Sequence, residues 1–182
     1  MIANINSQTL LSSPGMTTAE ALALYDALEP VTLDFMMGRW RGKGIPTQHP
    51  MDGMLEMSHW YGKEFMDSET VHPLLFEDAQ GEIFKLRPDP TVMGLALRFS
   101  ITRYPWLAPV LNGLIGWFKT DASQARLRML ESRGVVTATM IYDNLPINDS
   151  FKKIDDNAVF GLMDYKLIAQ PFFFLLQRDR VG

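Results

Sequence analysis

The stretch Gly38-Arg39-Trp40-Arg41-Gly42 opens what the sequence predicts to be the first long strand of a β-sheet protein. Alternation along residues 35–45 places Trp40 on one face with three glycines and the basic side chains on the other. A tryptophan beside glycines suits a place where a wide apolar space is closed and the strand bends sharply or another backbone approaches. We therefore expect Trp40 at the closed end of a small β-barrel that holds a cavity.

The composition is that of an ordinary globular domain. The chain has 182 residues, of which 47% are hydrophobic and 21% charged, and its net charge is −4. This length suits one domain that buries roughly 70% of its unfolded surface. No run of lysine or arginine offers the concentrated basic surface that phosphate binding requires, so nucleic acid is not expected as a partner. The lack of cysteine excludes disulfides, thiolate metal sites and thiol catalysis.

The sequence predicts a cytoplasmic protein with no stable membrane insertion. Residues 1–14 lack the basic-then-apolar layout of a signal peptide. The longest apolar stretch, residues 106–118, contains proline and asparagine and is shorter than the about 20 residues that span a bilayer. The absence of cysteine is consistent with a reducing compartment.

We expect a flexible N-terminal tail over residues 1–16 and a single β-barrel domain over residues 17–182. The domain begins with a helix over residues 17–30, for which Thr17 and Glu20 form a capping box. One face of this helix carries an apolar stripe, which indicates that the helix docks on the barrel.

Short strands separated by tight-turn residues dominate the remaining chain. Such a pattern is typical of an antiparallel sandwich or barrel. Strands are predicted over residues 35–45, from about 60, and over 71–77, 82–87, 92–101, 125–132, 135–142, 150–154, 158–162 and 172–178.

The strand pattern breaks over residues 104–120, where the sequence predicts an apolar helical insertion. This segment is apolar almost all round, so most of its faces must be covered. Four arrangements satisfy that requirement: a plug inside the barrel, a lid over a pocket mouth, the interface of a homodimer, and plain core packing.

Several motifs together indicate a known family. In the first half they are residues 38–42, His49-Pro50, Trp60-Tyr61-Gly62-Lys63 and Val71-His72-Pro73-Leu74; in the second half they are Ile141-Tyr142-Asp143, Leu145-Pro146-Ile147, Phe151, Gly161-Leu162-Met163-Asp164 and Pro171-Phe172-Phe173-Phe174. Over about residues 20–180, the chain resembles the GXWXG protein family joined to the domain of unknown function that usually follows it. The resemblance leaves the activity open.

A looser resemblance is to the calycins, which include lipocalin, fatty-acid-binding and nitrobindin barrels and carry Gly-x-Trp at the start of the first strand. It implies a mainly β protein, a single antiparallel calycin-like β-barrel with the N-terminal helix and the helical insertion. Many calycins pack an arginine from a late strand across the tryptophan, which implies a structural role for Arg178 beside Trp40. The resemblance does not extend to a nitrobindin-like haem site, because no histidine lies late in the chain.

The polar residues of the predicted strands are candidates for orienting a ligand. A buried Lys63 would need a partner or a lowered pKa, and could bind a carboxylate or phenolate or form a Schiff base; the alternative is a surface salt bridge. His49 and His72 precede prolines, so each has the alternative of ordering a local turn. The predicted ligand-binding residues are Arg41, His49, Trp60, Lys63, His72 and Tyr142.

Acid–base catalysis in the same cavity is the alternative. His72 and Asp143 would move a proton, while Lys63 or Tyr142 polarised an oxygen. Turn capping is the structural alternative for Asp143, which follows a predicted strand. The spacing of the histidines matches no short metal motif, so we predict no metal site and no cofactor.

The expected function is the binding of a small, largely hydrophobic ligand in the barrel cavity, away from Trp40. The alternative is an isomerase, cyclase or hydrolase acting on a hydrophobic substrate. An interaction protein without a cavity would follow if residues 106–118 filled the barrel.

Overall fold

The computed structural model describes residues 7–91, 93–94, 106 and 116–179, and in this part of the chain an antiparallel sheet closes on itself as an eight-stranded barrel. The described strands are, in chain order, β1 (Glu29–Pro30), β2 (Gly38–Ile45), β3 (Trp60–Phe65), β4 (Val71–Glu77), β5 (Ile83–Lys85), β6 (Ala125–Ser132), β7 (Val135–Tyr142), β8 (Ile147–Asp155), β9 (Ala158–Tyr165) and β10 (Ile168–Arg178).

The barrel is a meander in which strands pair largely in chain order. The order around it is β2, β3, β4, β6, β7, β8, β9 and β10, and β10 pairs with β2 to close the circle. The strands β1 and β5 lie beside it, on β8 and β4 respectively. The prediction of a mainly β, antiparallel barrel is confirmed.

Short helices cover the outside and one end of the barrel. They are α1 (Ser7–Leu11), α2 (Thr18–Ala27), α3 (Leu33–Met36), α4 (Met54–Met57) and a 3-10 helix over Gly116–Phe118. The longest, α2, starts at the predicted capping box: the Glu20 N–H donates to Thr17 Oγ1 at 3.2 Å, and the Thr17 N–H donates to Glu20 Oε2 at 2.8 Å.

Alternation along the strands divides the apolar residues into an inner and an outer cluster. In β10, Phe172, Phe174 and Leu176 belong to the inner cluster, whereas Phe173 and Leu175 belong to the outer one. The outer cluster also includes the buried face of α2. Each large apolar side chain buried in this way contributes about 1.5–3 kcal/mol, so α2 is part of the fold.

The segment predicted to be a flexible tail contains helix α1. Leu10 is buried in the outer cluster, and the Lys43 ammonium donates to the carbonyl oxygen of Leu11. The Met16 N–H donates to the Pro46 carbonyl at 2.9 Å. These contacts tie residues 7–16 to the barrel, while residues 1–6 lie outside the described residues.

The predicted strand over residues 35–45 begins later than expected. Leu33–Met36 form α3, because Thr32 Oγ1 caps this turn by accepting from the Phe35 N–H at 3.3 Å. Strand β2 then starts at Gly38, whose φ of +105° suits glycine.

The predicted strand over residues 92–101 is described only at Met93 and Gly94, and both are helical; the Met93 N–H donates to the Asp89 carbonyl at 3.0 Å. The insertion predicted over residues 104–120 lies largely outside the described residues. In the part that the structure describes, no helix is long and apolar enough to span a bilayer.

Candidate functional site

Trp40 is fully buried near the start of β2, which follows α3 in the chain. Its indole Nε1–H donates to the Met36 carbonyl at 2.7 Å, so its polar atom is satisfied. The Arg178 guanidinium carbon lies 4.3 Å from the centroid of the Trp40 ring, within the range of a cation–π contact. The guanidinium also donates to the carbonyls of Phe35 and Met37, each at 2.8 Å. These bonds connect β10 to the end of α3 beside the Trp40 ring.

A β-bulge at Gly62 turns both Trp60 and Lys63 into the barrel. Strict alternation along β3 would place these two side chains on opposite faces. The register of β3 against β4 shifts around Gly62, whose φ of +152° favours glycine. The extra residue shifts the alternation of inward and outward side chains along β3. The Lys63 side chain therefore lies inside the barrel with that of Trp60, whereas Glu64 forms an ion pair with Lys85.

Lys63 is the centre of a buried polar cluster inside the barrel. Its Nζ lies 2.8 Å from Asp149 Oδ2, and the two side chains are 3% and 2% exposed. The same ammonium donates to the Pro73 carbonyl at 3.3 Å and to the Tyr142 hydroxyl at 3.4 Å. An ammonium has three N–H donors, so each of them has a protein acceptor.

Aromatic rings surround this ammonium. Lys63 Nζ lies 5.5 Å from the ring of Trp60, 5.6 Å from the ring of Tyr142 and 5.1 Å from the ring of Phe174, measured to their centroids. Such contacts stabilise a desolvated cation by up to about 2 kcal/mol each. The cluster is therefore a polar spot in an otherwise apolar and aromatic interior.

Two side chains that contact the ammonium each have a polar atom without a hydrogen-bond partner among the described residues. These atoms are the acceptor Asp149 Oδ1 and the donor Trp60 Nε1, both buried. Leaving a buried polar group unpaired costs about 1–3 kcal/mol. The interior thus holds one acceptor and one donor that the described residues leave unpaired.

Burial shifts the pKa of both acidic groups of the cluster, Tyr142 and Asp149. It raises the pKa of Tyr142 well above that of a free phenol, and the negative charge of Asp149 raises it further. Burial also raises the pKa of Asp149, against the opposing effect of Lys63. Tyr142 is consequently a neutral phenol at neutral pH, able to donate or accept a hydrogen bond.

Glycines make room for two rings that line the cluster. A Cβ at Gly42 would lie 2.1 Å from the Trp60 ring, and a Cβ at Gly161 would lie 2.3 Å from the Phe174 ring. The glycine after Trp40 therefore accommodates a second tryptophan from β3. The cluster also lies close to Trp40, since Lys63 is the register partner of Trp40 in the β2–β3 pair.

Arg41 and Asp143 lie on the outer surface. The Arg41 side chain is 66% exposed and lies 3.7 Å from Glu77. Asp143 accepts two hydrogen bonds from Arg126, at 2.7 and 3.0 Å, and this ion pair is also partly exposed. Neither residue takes part in the interior cluster.

The two predicted site histidines are buried in separate surroundings. His49 Nδ1 accepts from the Met51 N–H at 3.0 Å, and its Nε2 lies 3.1 Å from the Gln170 carbonyl, so both ring nitrogens are bonded. His72 lies opposite Glu64 in the β3–β4 pair, and its Nδ1 has no partner among the described residues. Burial lowers the pKa of both imidazoles.

His72 and Asp143 are not joined by a hydrogen bond or an ion pair in the described part of the chain. Nor do the residues that the structure describes bring three or more histidines and carboxylates together at a metal-binding distance.

Asp149 is the functional candidate that the strand pattern missed. The sequence predicts a strand only from residue 150, so Asp149 falls just outside it. The structure extends β8 back to Ile147 and places Ile147, Asp149 and Phe151 on the inner face. An aspartate flanked at two residues' distance by apolar side chains was the available signal of an inward carboxylate.

A separate groove of about 480 Å³ lies on the outside of the barrel, between α2 and the β6–β7 hairpin. Its polar floor is internally paired: the Tyr25 hydroxyl donates to Ser150 Oγ at 2.7 Å, and Ser150 Oγ lies 3.0 Å from Ser132 Oγ. These polar atoms are satisfied by one another, unlike Asp149 Oδ1 and Trp60 Nε1 of the interior cluster.

Comparisons with known proteins agree with this architecture. The GXWXG protein model matches residues 23–81, and the domain of unknown function (DUF4334) matches residues 123–178. Among curated proteins, none matches the chain. A protein from Thermomonospora curvata, known from its crystal structure, is 33% identical in sequence to this chain. The two structures superpose with a TM-score of 0.69, and the match covers 91% of this chain and 90% of that chain. The chain belongs to the GXWXG protein family and carries the DUF4334 domain in its second half.

Proposed function

We propose that the chain binds a small, largely hydrophobic molecule inside the barrel and that Lys63, Asp149 and Tyr142 orient it. The observation that carries the proposal is the buried ion pair of Lys63 and Asp149 in an interior otherwise lined by apolar and aromatic side chains. Ligand sites typically combine apolar walls with a few polar groups that fix the orientation of the ligand.

A contribution to folding stability does not explain the ion pair of Lys63 and Asp149 inside the barrel. Desolvation costs several kcal/mol per ion, and replacing a buried pair with apolar residues is often neutral or stabilising. Asp149 Oδ1 adds the cost of an acceptor without a partner in the described chain. A ligand that completes these hydrogen bonds gives the pair a role.

Two further arguments support the proposal. A barrel of eight strands is wide enough to hold one small ligand where side chains do not fill it, and the calycin barrels that this chain resembles enclose small molecules. We also propose a cytoplasmic location and no nucleic-acid partner, supported by the lack of cysteine and the net charge of −4.

Native mass spectrometry of the purified protein tests the binding proposal, followed by denaturation and identification of any released molecule. The double variant Lys63→Met/Asp149→Leu replaces the ion pair with apolar side chains, and we expect it to fold without the bound molecule. The same spectra give the oligomeric state and so test the homodimer, one of the four arrangements considered for residues 104–120.

Lys152→Met is the matched control for this experiment. Lys152 is also buried, at 2% exposure, but its ammonium lies over the Tyr25 ring in the outer cluster. We expect Lys152→Met to keep the bound molecule. Equal loss in this control, or full retention in the double variant, would contradict the proposed site.

A second candidate function, acid–base catalysis on a hydrophobic substrate by an isomerase, cyclase or hydrolase, is favoured by the hydrogen-bonded cluster. A carboxylate with a raised pKa serves as a general base, and a neighbouring ammonium or phenol polarises an oxygen. Asp149 would take the proton here, with Lys63 and Tyr142 as the polarising groups. If the Asp149→Asn variant still turned over the released compound, this role of Asp149 would be contradicted.

A further inference from the structure

We propose that the interior site takes an uncharged ligand bearing a hydroxyl group, an alcohol or a phenol, and discriminates against the corresponding carboxylate. This inference rests on the proposed binding function and names the chemical class of the ligand. It follows from the charge balance of the cluster and from the two buried polar atoms that the described protein leaves unpaired.

The hydrogen-bond donors of Lys63 are already in use. Its three N–H groups have acceptors in Asp149, Pro73 and Tyr142, at 2.8, 3.3 and 3.4 Å. A ligand carboxylate would have to displace one of these acceptors to bond the ammonium. Lys63 therefore has no free N–H donor for an anionic ligand.

The charge of the cluster is also balanced. The Lys63 ammonium and the Asp149 carboxylate are adjacent and almost fully buried, so the pair carries no net charge. A ligand carboxylate would add a second negative charge next to Asp149, in surroundings where an unpaired charge is strongly unfavourable.

A hydroxyl group matches the unpaired atoms. An ionised Asp149 offers Oδ1 as an acceptor only, and the Trp60 indole offers Nε1–H as a donor only. A hydroxyl donates one hydrogen bond and accepts others, so its chemistry matches both the acceptor and the donor. A carboxylate accepts only, and so does the carbonyl of an ester.

Both unpaired atoms belong to side chains in contact with the same ammonium. The Trp60 ring centroid lies 5.5 Å from Lys63 Nζ, and the other oxygen of Asp149 lies 2.8 Å from it. The Phe174 ring, 5.1 Å from the ammonium, adds apolar surface for the carbon skeleton of the ligand. The site thus combines a hydroxyl-binding corner with aromatic walls.

Binding of three matched probes by calorimetry tests this inference on the full chain, after removal of any bound molecule. The probes are 1-decanol, decanoate and methyl decanoate, with shorter and longer homologues, at neutral pH. We expect decanol to bind about tenfold more tightly than the ester, since only decanol donates to Asp149, and more tightly still than decanoate. The ester controls for the greater hydrophobicity of uncharged probes.

Variants test the contributions of the ion pair and of the Trp60 donor separately. Lys63→Met/Asp149→Leu should lose the preference for decanol over the ester, whereas Trp60→Phe should weaken decanol and the ester alike, because both can accept from the Trp60 Nε1–H. Asp149→Asn leaves the ammonium uncompensated, so its affinity for decanoate should rise about tenfold or more. Lys152→Met should behave as the wild type.

Wild-type protein that binds decanoate best, or decanol and the ester equally, overturns the hydroxyl inference while leaving the binding function intact. Wild-type protein that binds none of the probes and releases no molecule in native mass spectrometry overturns the binding function itself. The order of affinities of the wild type for the three probes tests the hydroxyl inference even if Asp149→Asn does not fold.

Discussion

Lys63 and Asp149 depend on each other inside the barrel, because each neutralises a charge that would otherwise be buried alone. We predict that Lys63→Met destabilises the fold by about 3–5 kcal/mol, since it leaves the Asp149 carboxylate unpaired, and that adding Asp149→Leu restores most of the loss. Urea unfolding of the single and double variants measures the three free energies of unfolding. Losses that simply add would show that the two residues are not coupled.

His49 makes stability depend on pH. Burial lowers its pKa, and its Nδ1 accepts from the Met51 N–H, which only the neutral ring can do. Below about pH 6.5 the unfolded chain binds a proton that the folded chain does not, so the free energy of unfolding falls as the pH decreases through this range. His49→Asn keeps an acceptor but does not titrate.

We expect the wild type to lose more stability than His49→Asn between about pH 7 and pH 5, as measured by denaturant unfolding at each pH. His72 contributes in the same direction, because its pKa is lowered as well. Parallel pH profiles of the two proteins would rule out His49 as a source of the dependence.

At the scale of the elements, the bulge in β3 determines which side chains reach the interior. A Cβ at Gly62 would lie 1.9 Å from the Trp40 carbonyl oxygen, besides requiring an unfavourable φ. We predict that Gly62→Ala costs more than about 3 kcal/mol or prevents folding. Gly134→Ala is the control: its φ is +81°, but no atom lies within 4 Å of the added Cβ.

Gly134→Ala should therefore cost only the backbone strain, about 1–2 kcal/mol. Thermal unfolding monitored by circular dichroism compares the two variants. Equal losses would show that conformation at Gly62, and not the approach of Trp40, dominates the effect.

Where alternation and turn residues agree, the sequence predicts the elements well. The bounds of β4, β6 and β7 are those expected from their apolar periodicity and from turns such as Arg133-Gly134. The short α3 was missed because its four residues follow a local cap and carry no periodic pattern. Strand β8 extends from Ile147 to Asp155, beyond the predicted residues 150–154, because the polar residues Asn148 and Asp149 belong to it.

The candidate site is less predictable than the fold for a physical reason. Lys63 and Tyr142 were identified as candidates from their residue types, but the pairing with Asp149 depends on a bulge and on strands distant in the chain. A bulge resets the period on which alternation relies, and an inward carboxylate interrupts the pattern that defines its strand. Functional residues commonly break such local rules.

At the scale of the whole molecule, ligand binding should raise stability by mass action. A ligand that binds only the folded barrel, present at 100 times its dissociation constant, stabilises it by about 2.7 kcal/mol. We predict that 1-decanol raises the melting temperature of the wild type and of Lys152→Met, and leaves that of Lys63→Met/Asp149→Leu nearly unchanged. A similar rise in all three proteins would indicate binding elsewhere.

The pairing of β10 with β2 has a consequence for how the chain folds. The first barrel strand, Gly38–Ile45, pairs on one side with Ile168–Arg178, which leaves the ribosome last among the described strands. Until then β2 and β9 each present an open edge, a template for pairing with other chains. Closure between segments so far apart also makes for slow folding. The barrel is thus most exposed to aggregation during synthesis, before its last strand is inserted.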